Sequence, residues 1–319
     1  ILHGKEILRK KTEEGSISRK KRKKMRLYTF IDKEQQECIG VGSELDKNVI
    51  YPIGQFGLAY RDMNDLIMHA PEADLEFLKK VSHAEAQGVN ISDVKLCAPI
   101  PEPNQDVICL GVNYKDHEEE SVKYDKGAFT RTEGYPIYFA KRVNYAIGTG
   151  DVIPAYENMA EKLDYEAEMA LIIGKTGKNI AKEEVFDHIF GYTIMNDTSA
   201  RDVQLRYKQW FYGKSMDGFA PMGPCIVTKD EFDEPPVMKI RCYVNGELRQ
   251  SSSTDLLIFG IEHAITELSA GMTLKAGSII SMGTPAGVGM GMEPPVYLKK
   301  GDVVRCEVEG IGILENTIG

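Results

Sequence analysis

No apolar run in these 319 residues approaches the ~18 needed to cross a bilayer, and the first residues lack the continuous apolar core of a secretory signal. A cytoplasmic protein without a membrane partner is therefore expected. The six cysteines (Cys38, Cys97, Cys109, Cys225, Cys242, Cys306) stand singly, with no CxxC pair and no spacing of a disulfide framework, so they read as reduced, mostly small core residues. The six histidines form no HxH or HExxH cluster, so a metal, if used, should be bound by oxygen, which points to magnesium, manganese or calcium. Also missing are a GxGxxG order, a Walker GK[ST] and a GxSxG elbow, which argues against dinucleotide binding, ATP binding and serine hydrolysis.

What is present suits a globular chain: 42% hydrophobic and 27% charged residues can fill one large domain or two unequal ones. The net charge of −9 is uneven, because residues 1–24 carry +7 and leave −16 for the rest. RKKRKK (19–24) could contact nucleic acid, but an acidic body would repel it, so no nucleic-acid partner is expected. The leader 1–24 reads as a disordered tail or a non-native stretch ahead of Met25.

Strand-like alternation begins at MRLYTFID (25–32), and 61–87 is expected to be helical on both sides of Pro71. Prolines 99, 101 and 103 stiffen APIPEPNQDV and mark a boundary, giving a small N-terminal domain at 25–100 and a main domain at 101–319. Beyond it come short β-like runs at 107–112, 136–141, 168–174, 188–195, 223–228, 239–246, 278–283 and 302–310, with a hairpin on Asn245-Gly246. Helices are expected at 182–188, around 199–209 and over DLLIFGIEHAITELSAG (255–271). The fold class is α+β, mostly β, built around a curled mixed sheet.

Chemistry concentrates in four places. In LDYEAEMALIIG (163–174) the acids Asp164, Glu166 and Glu168 alternate with apolar residues, which predicts one strand with all three on one face. Glu166 and Glu168, i and i+2, could share a hard cation, or could merely be a solvated strand face; Asp197 in IMNDTSARD supplies a third carboxylate. Arg201 and Lys214 are cations among aromatic and small residues, fit for a substrate carboxylate or else ion-pair partners of Asp202 and Asp217. In ICLGVNYKDHEEE, Glu120 lies three residues after His117 and could orient it, unless the stretch is a solvated acidic loop. The glycine-rich SMGTPAGVGMG (281–291) reads as a turn whose Thr284 hydroxyl and amides line a pocket for a small anion.

Together these segments resemble the fumarylacetoacetate hydrolase family, in its acylpyruvase and oxaloacetate decarboxylase-like branch. GVNYKDHEEE, LDYEAEMALIIGK, GYTIMNDTSARDVQ, GKSMDGFAPMGP, VNGELRQ and ISMGTPAGVG follow the family's order over about residues 98–319. The resemblance implies a mixed β-sheet roll with a small N-terminal α/β module and a homodimer. It implies Mg2+ or Mn2+, with Ca2+ as a substitute, on Glu166, Glu168 and Asp197. His117 and Glu120 become the catalytic pair, with Lys214 beside them, and Arg201, Gln204, Lys214 and Thr284 become substrate contacts. The implied substrate is a small 2-oxo acid. Hydrolysis of a C–C bond in a 2,4-dioxo acid is the first expectation; oxaloacetate decarboxylation and isomerisation of a diene-dioate are the alternatives. Asp164 is expected to be structural, so that Asp164→Asn costs far less activity than Glu166→Gln.

Overall fold

The computed structural model describes residues 25–121, 123, 127 and 129–319. The basic leader and the expectations attached to it lie outside the described residues.

The architecture is mostly β, as the alternating runs predict. Eleven strands form one mixed sheet, and five form a second. In the middle of the large sheet, Ala167–Ile173 pairs antiparallel with Ile189–Asn196 on one side and Ile279–Ser281 on the other, and Val107–Gly111 runs parallel beside the latter. Past the proline-rich stretch the same sheet continues backwards in sequence, because Arg26–Ile31 pairs with Met222–Thr228. The second sheet holds Val152–Ile153, Lys239–Val244, Glu247–Ser253, Val303–Val308 and Gly312–Ile318. Its hairpin turns at Asn245 and Gly246, both at positive φ (51° and 81°), the backbone that Asn-Gly adopts readily.

Why the central strand is apolar throughout follows from what lies on each side. Met169, Leu171 and Ile173 face a core shared with Ile240, Cys242, Val304 and Leu314 of the second sheet. Ala170 and Ile172 face another core with Met63, Leu66 and Leu78, from the helices Met63–His69 and Glu72–Val81. A strand buried on both faces loses its alternation and reads as a run.

Two expectations change here. LDYEAEMALIIG is not one strand: Leu163–Asp164 pairs with Ser199–Ala200, the chain breaks over Tyr165 and Glu166, and the central strand starts at Ala167. Nor does the helix run from 255. Thr254–Leu256 is a single 3-10 turn and the α-helix is Ile261–Gly271. The amides of Ile258 and Phe259 are taken instead by Asn113, at its carbonyl (2.8 Å) and its side-chain Oδ1 (2.9 Å). Among the described residues no helix is long and apolar enough to cross a membrane.

Candidate active site

Three chain segments converge where the central strand begins. Glu166 precedes it, Glu168 lies within it opposite Met195, and Asp197 directly follows the neighbouring strand. The junction is stitched by backbone: Asp197 N donates to Glu166 O at 2.8 Å, and Glu166 N donates to the Asn196 side chain at 3.0 Å. One carboxylate oxygen from each of the three acids lies within 4.8 Å of the others, and all three residues are buried.

Buried cations surround them. Lys214, at the end of the helix Phe211–Lys214, donates to Glu166 at 2.7 Å and to Asp197 at 2.8 Å. Arg201, opening the helix Arg201–Arg206, reaches Glu166 through Nη2 (2.7 Å), Asp164 through Nε (2.9 Å) and Gln204 through Nη1 (3.2 Å). Lys141, which sequence reasoning passed over, is fully buried, pairs with Asp197 and donates to Thr198 O at 2.9 Å. It closes the strand Ile137–Lys141 like any polar strand end, and only the fold shows which way it turns.

The charges are unequally matched. Burial favours protonation of Glu166, but Lys214 and Arg201 outweigh it and hold the carboxyl down at about 2. Glu168 has no cation of its own; burial, then the charges of Asp197 and Glu166, push it well above the usual carboxylate range. Its Oε2 accepts from Ser281 Oγ and from the Gly283 amide (3.1 Å), which does not cancel the repulsion. Three converging carboxylates, one of them held up by its like-charged neighbours, form a hard oxygen donor set that suits a divalent metal ion.

Above the acids sits the helix Lys115–Ser121. His117 Nδ1 meets Glu120 Oε2 at 3.0 Å, whereas Glu118 turns away to Arg131 (2.8 Å), so among EEE (118–120) the i+3 residue is the imidazole's partner. His117, Glu166, Glu168, Arg201, Gln204, Lys214 and Thr284 all line one pocket, closed on its apolar side by Phe129, Phe139 and Trp210. Glu120 supports His117 from behind, and Asp197 is joined to the pocket through Lys214.

The glycine-rich turn differs from its sequence reading. Its amides hold the protein's own carboxylates: Gly283 on Glu168, Gly287 on Glu120 at 3.0 Å, and Gly289 and Met290 on Asp164 at 2.7 and 3.0 Å. Thr284 donates its hydroxyl to Ala167 O (3.0 Å) and accepts from Gln250 (2.7 Å), so that hydroxyl proton is already committed. Gln250 comes from the Asn245-Gly246 hairpin, and this is how the second sheet reaches the site.

A sequence profile described as "Fumarylacetoacetate (FAA) hydrolase C-terminal" matches residues 106–319. The chain is 47% identical over 230 residues to the oxaloacetate tautomerase YisK of Bacillus subtilis, covering 72% of this chain and 75% of that protein. The chain belongs to the fumarylacetoacetate hydrolase family. Among solved family structures, the fumarylacetoacetate hydrolase of Exiguobacterium antarcticum is 38% identical with a TM-score of 0.75, over 92% of this chain and 99% of that one. The maleylpyruvate hydrolase of Sphingobium, solved with manganese(II) and pyruvate, is 28% identical with a TM-score of 0.72, over 92% and 98%. The family's enzymes thus include a tautomerase and hydrolases, and the mixed-sheet fold expected from the resemblance is the one found.

Proposed function

We propose that the protein is a divalent-metal-dependent enzyme that interconverts the keto and enol forms of a small 2-oxo dicarboxylic acid of the oxaloacetate type. The observation that carries this reading is His117, held by Glu120 at 3.0 Å and lining the same pocket as Glu166 and Glu168 of the acid triad. Similarity to an oxaloacetate tautomerase at 47% identity supports the choice among family reactions.

Glu166, Glu168 and Asp197 would hold Mg2+ or Mn2+, which when bound supplies Lewis-acid polarisation of a substrate carbonyl. Arg201 and Lys214 bind and orient the anionic head. Burial works against the Lys214 ammonium, but Asp197 and Glu166 more than restore it and raise its pKa, so it stays a cationic donor to an enolate oxygen as charge develops there. Glu120 takes the Nδ1 proton of His117 in a hydrogen bond, which leaves Nε2 as the base. That nitrogen removes a proton from the carbon beside the keto group while the enolate oxygen takes one from solvent to become the enol; both transfers reverse in the other direction, and no bond between carbons breaks.

A second reading, hydrolysis of an acylpyruvate, is favoured by the Sphingobium relative and by the dyad's capacity to activate water. The two separate in one assay series: enol-to-keto absorbance of oxaloacetate, loss of oxaloacetate and cleavage of acylpyruvates, each with Mg2+ or Mn2+, on wild type and His117→Ala. Tautomerisation is expected to dominate and to fall at least 100-fold in the variant. Faster C–C cleavage than tautomerisation would replace the first reading by the second.

A further inference from the structure

Asp164 is fully buried, and its carboxylate holds both Arg201 and the glycine-rich loop. Oδ2 holds Arg201 Nε at 2.9 Å and accepts the Met290 amide at 3.0 Å; Oδ1 accepts the amides of Gly289 at 2.7 Å and Tyr165 at 3.0 Å. The loop so gripped also carries Gly287, whose amide holds Glu120 Oε1 at 3.0 Å while Glu120 Oε2 holds His117. From the residue beside Asp164, the Tyr165 hydroxyl donates to Gly287 O at 2.9 Å and pins the same loop a second time.

The loop is built for close approach on both acids. A Cβ at Gly289 would lie 2.8 Å from Asp164 Oδ1, and one at Gly291 would lie 2.0 Å from Glu120 Oε1. Glycine lets the backbone lie flush against the two carboxylates, so a shift at one is felt at the other. An unbroken chain of short contacts therefore runs from Arg201 through Asp164, the loop and Glu120 to His117.

We propose that Asp164 is a positioning residue that fixes the Arg201 guanidinium and, through the 287–290 loop, the seat of the His117–Glu120 pair. The first half rests on Arg201 binding the substrate's carboxylate, as in the function proposed above. The second half is independent of it.

Asp164→Asn keeps the shape and the acceptor for the Gly289 amide but turns an NH2 towards both Arg201 and the Met290 amide. In an assay of oxaloacetate tautomerisation at saturating Mg2+, KM is expected to rise and kcat to fall, each about tenfold. In a Glu120→Gln background only the KM effect should survive, because the kcat effect acts through Glu120. An equal kcat penalty in both backgrounds, or no penalty in either, would overturn the proposal. Tyr165→Phe removes only one tether of the loop and serves if Asp164→Asn does not fold; it should lower kcat severalfold at unchanged KM, again only with Glu120 present.

Amide hydrogen exchange of the metal-free protein separates this from the functional reading, since it needs no turnover. Asp164→Asn should speed exchange in both 286–292 and 115–121 at least tenfold, with the core strand 167–173 unchanged. Faster exchange at 286–292 alone, or uniformly including 167–173, would sink the positioning role whatever substrate the enzyme proves to use.

Discussion

Lys214 donates to Glu166 across 2.7 Å, tying an ammonium at the end of one short helix to a carboxylate at the mouth of the central strand, 48 positions earlier in the chain. The same nitrogen reaches Asp197, so one cation spans two of the three acids and leaves Glu168 to the repulsion of both. This asymmetry orders the site: Glu166 and Asp197 are charge-balanced by the protein, and Glu168 is the acid that a metal would most relieve.

Replacing Lys214 by Met keeps the stem and removes the charge. With the donor to the developing enolate gone, kcat/KM for oxaloacetate tautomerisation is expected to fall about 100- to 1000-fold. Lys214→Arg should not restore it, because a planar guanidinium does not fit the two-carboxylate seat of an ammonium. A loss under tenfold in steady-state assays would reduce Lys214 to charge balance.

Metal binding should release a proton and depend on pH. Burial and its acidic neighbours raise the Glu168 carboxyl, so in the metal-free protein it retains its proton to higher pH than the ordinary carboxylate of the unfolded chain. The folded state then binds more protons than the unfolded one, and this contribution to stability is present at low pH and is lost as pH rises from the unfolded carboxylate's pKa towards the raised one. A divalent ion displaces that proton and removes the repulsion. The rise in Tm on adding Mg2+ or Mn2+ should therefore be larger at pH 8 than at pH 5, and titration calorimetry in two buffers should report proton release. Glu168→Gln should abolish both the pH dependence and most of the affinity.

Asn113 ties three segments of the site together, donating through Nδ2 to Phe259 O (3.0 Å) and Met282 O (2.9 Å) and accepting from Phe259 N. All of these groups are buried, so Asn113→Ala strands a backbone donor and two acceptors and should cost about 3 kcal/mol of unfolding free energy. Urea denaturation checks this. A change below about 1 kcal/mol would mean that solvent reaches the three groups once the side chain is gone.

The sheet was legible from the sequence because each strand carries its evidence locally: VICLGV, EMALIIG and HIFGYTIM are apolar because each is buried, and Asn245-Gly246 is a turn by its own backbone preference. The Glu166–Glu168 pair and His117–Glu120 were legible as short spacings, i+2 and i+3, whereas Asp197 joins the two glutamates only because the strand before it pairs with the one that holds Glu168. Lys141 was not, since a lysine that turns inward at the end of a strand has the same sequence as one that turns out. The partnership of Asp164 with Arg201 spans 37 positions and appears only when Leu163–Asp164 pairs with Ser199–Ala200. SMGTPAGVGMG looked ready for a foreign anion because glycine-rich amides seek negative charge, and no local rule states that the anions are the chain's own. DLLIFG looked helical until Asn113 claimed its amides.

Trp210 is the only tryptophan in the chain, and it stands at the apolar wall of the pocket. Its ring lies 5.3 Å from both Phe129 and Phe139, and a Cβ on Gly111 would come within 2.4 Å of it. Phe139 in turn lies under the Lys214 ammonium at 5.2 Å, so the wall is continuous with the polar site. Two outcomes follow from that placement. Binding of pyruvate or oxaloacetate with Mg2+ should change the intrinsic fluorescence, and Trp210→Phe should abolish the signal while keeping turnover within a few-fold. Trp210→Ala opens the apolar wall, and its relative kcat/KM for longer acylpyruvates over oxaloacetate should rise about 10- to 100-fold, the range that a few methylene-sized contacts can discriminate. If Trp210→Ala lost activity equally on short and long acids, the aromatic wall would be packing for Lys214 and not a limit on substrate length.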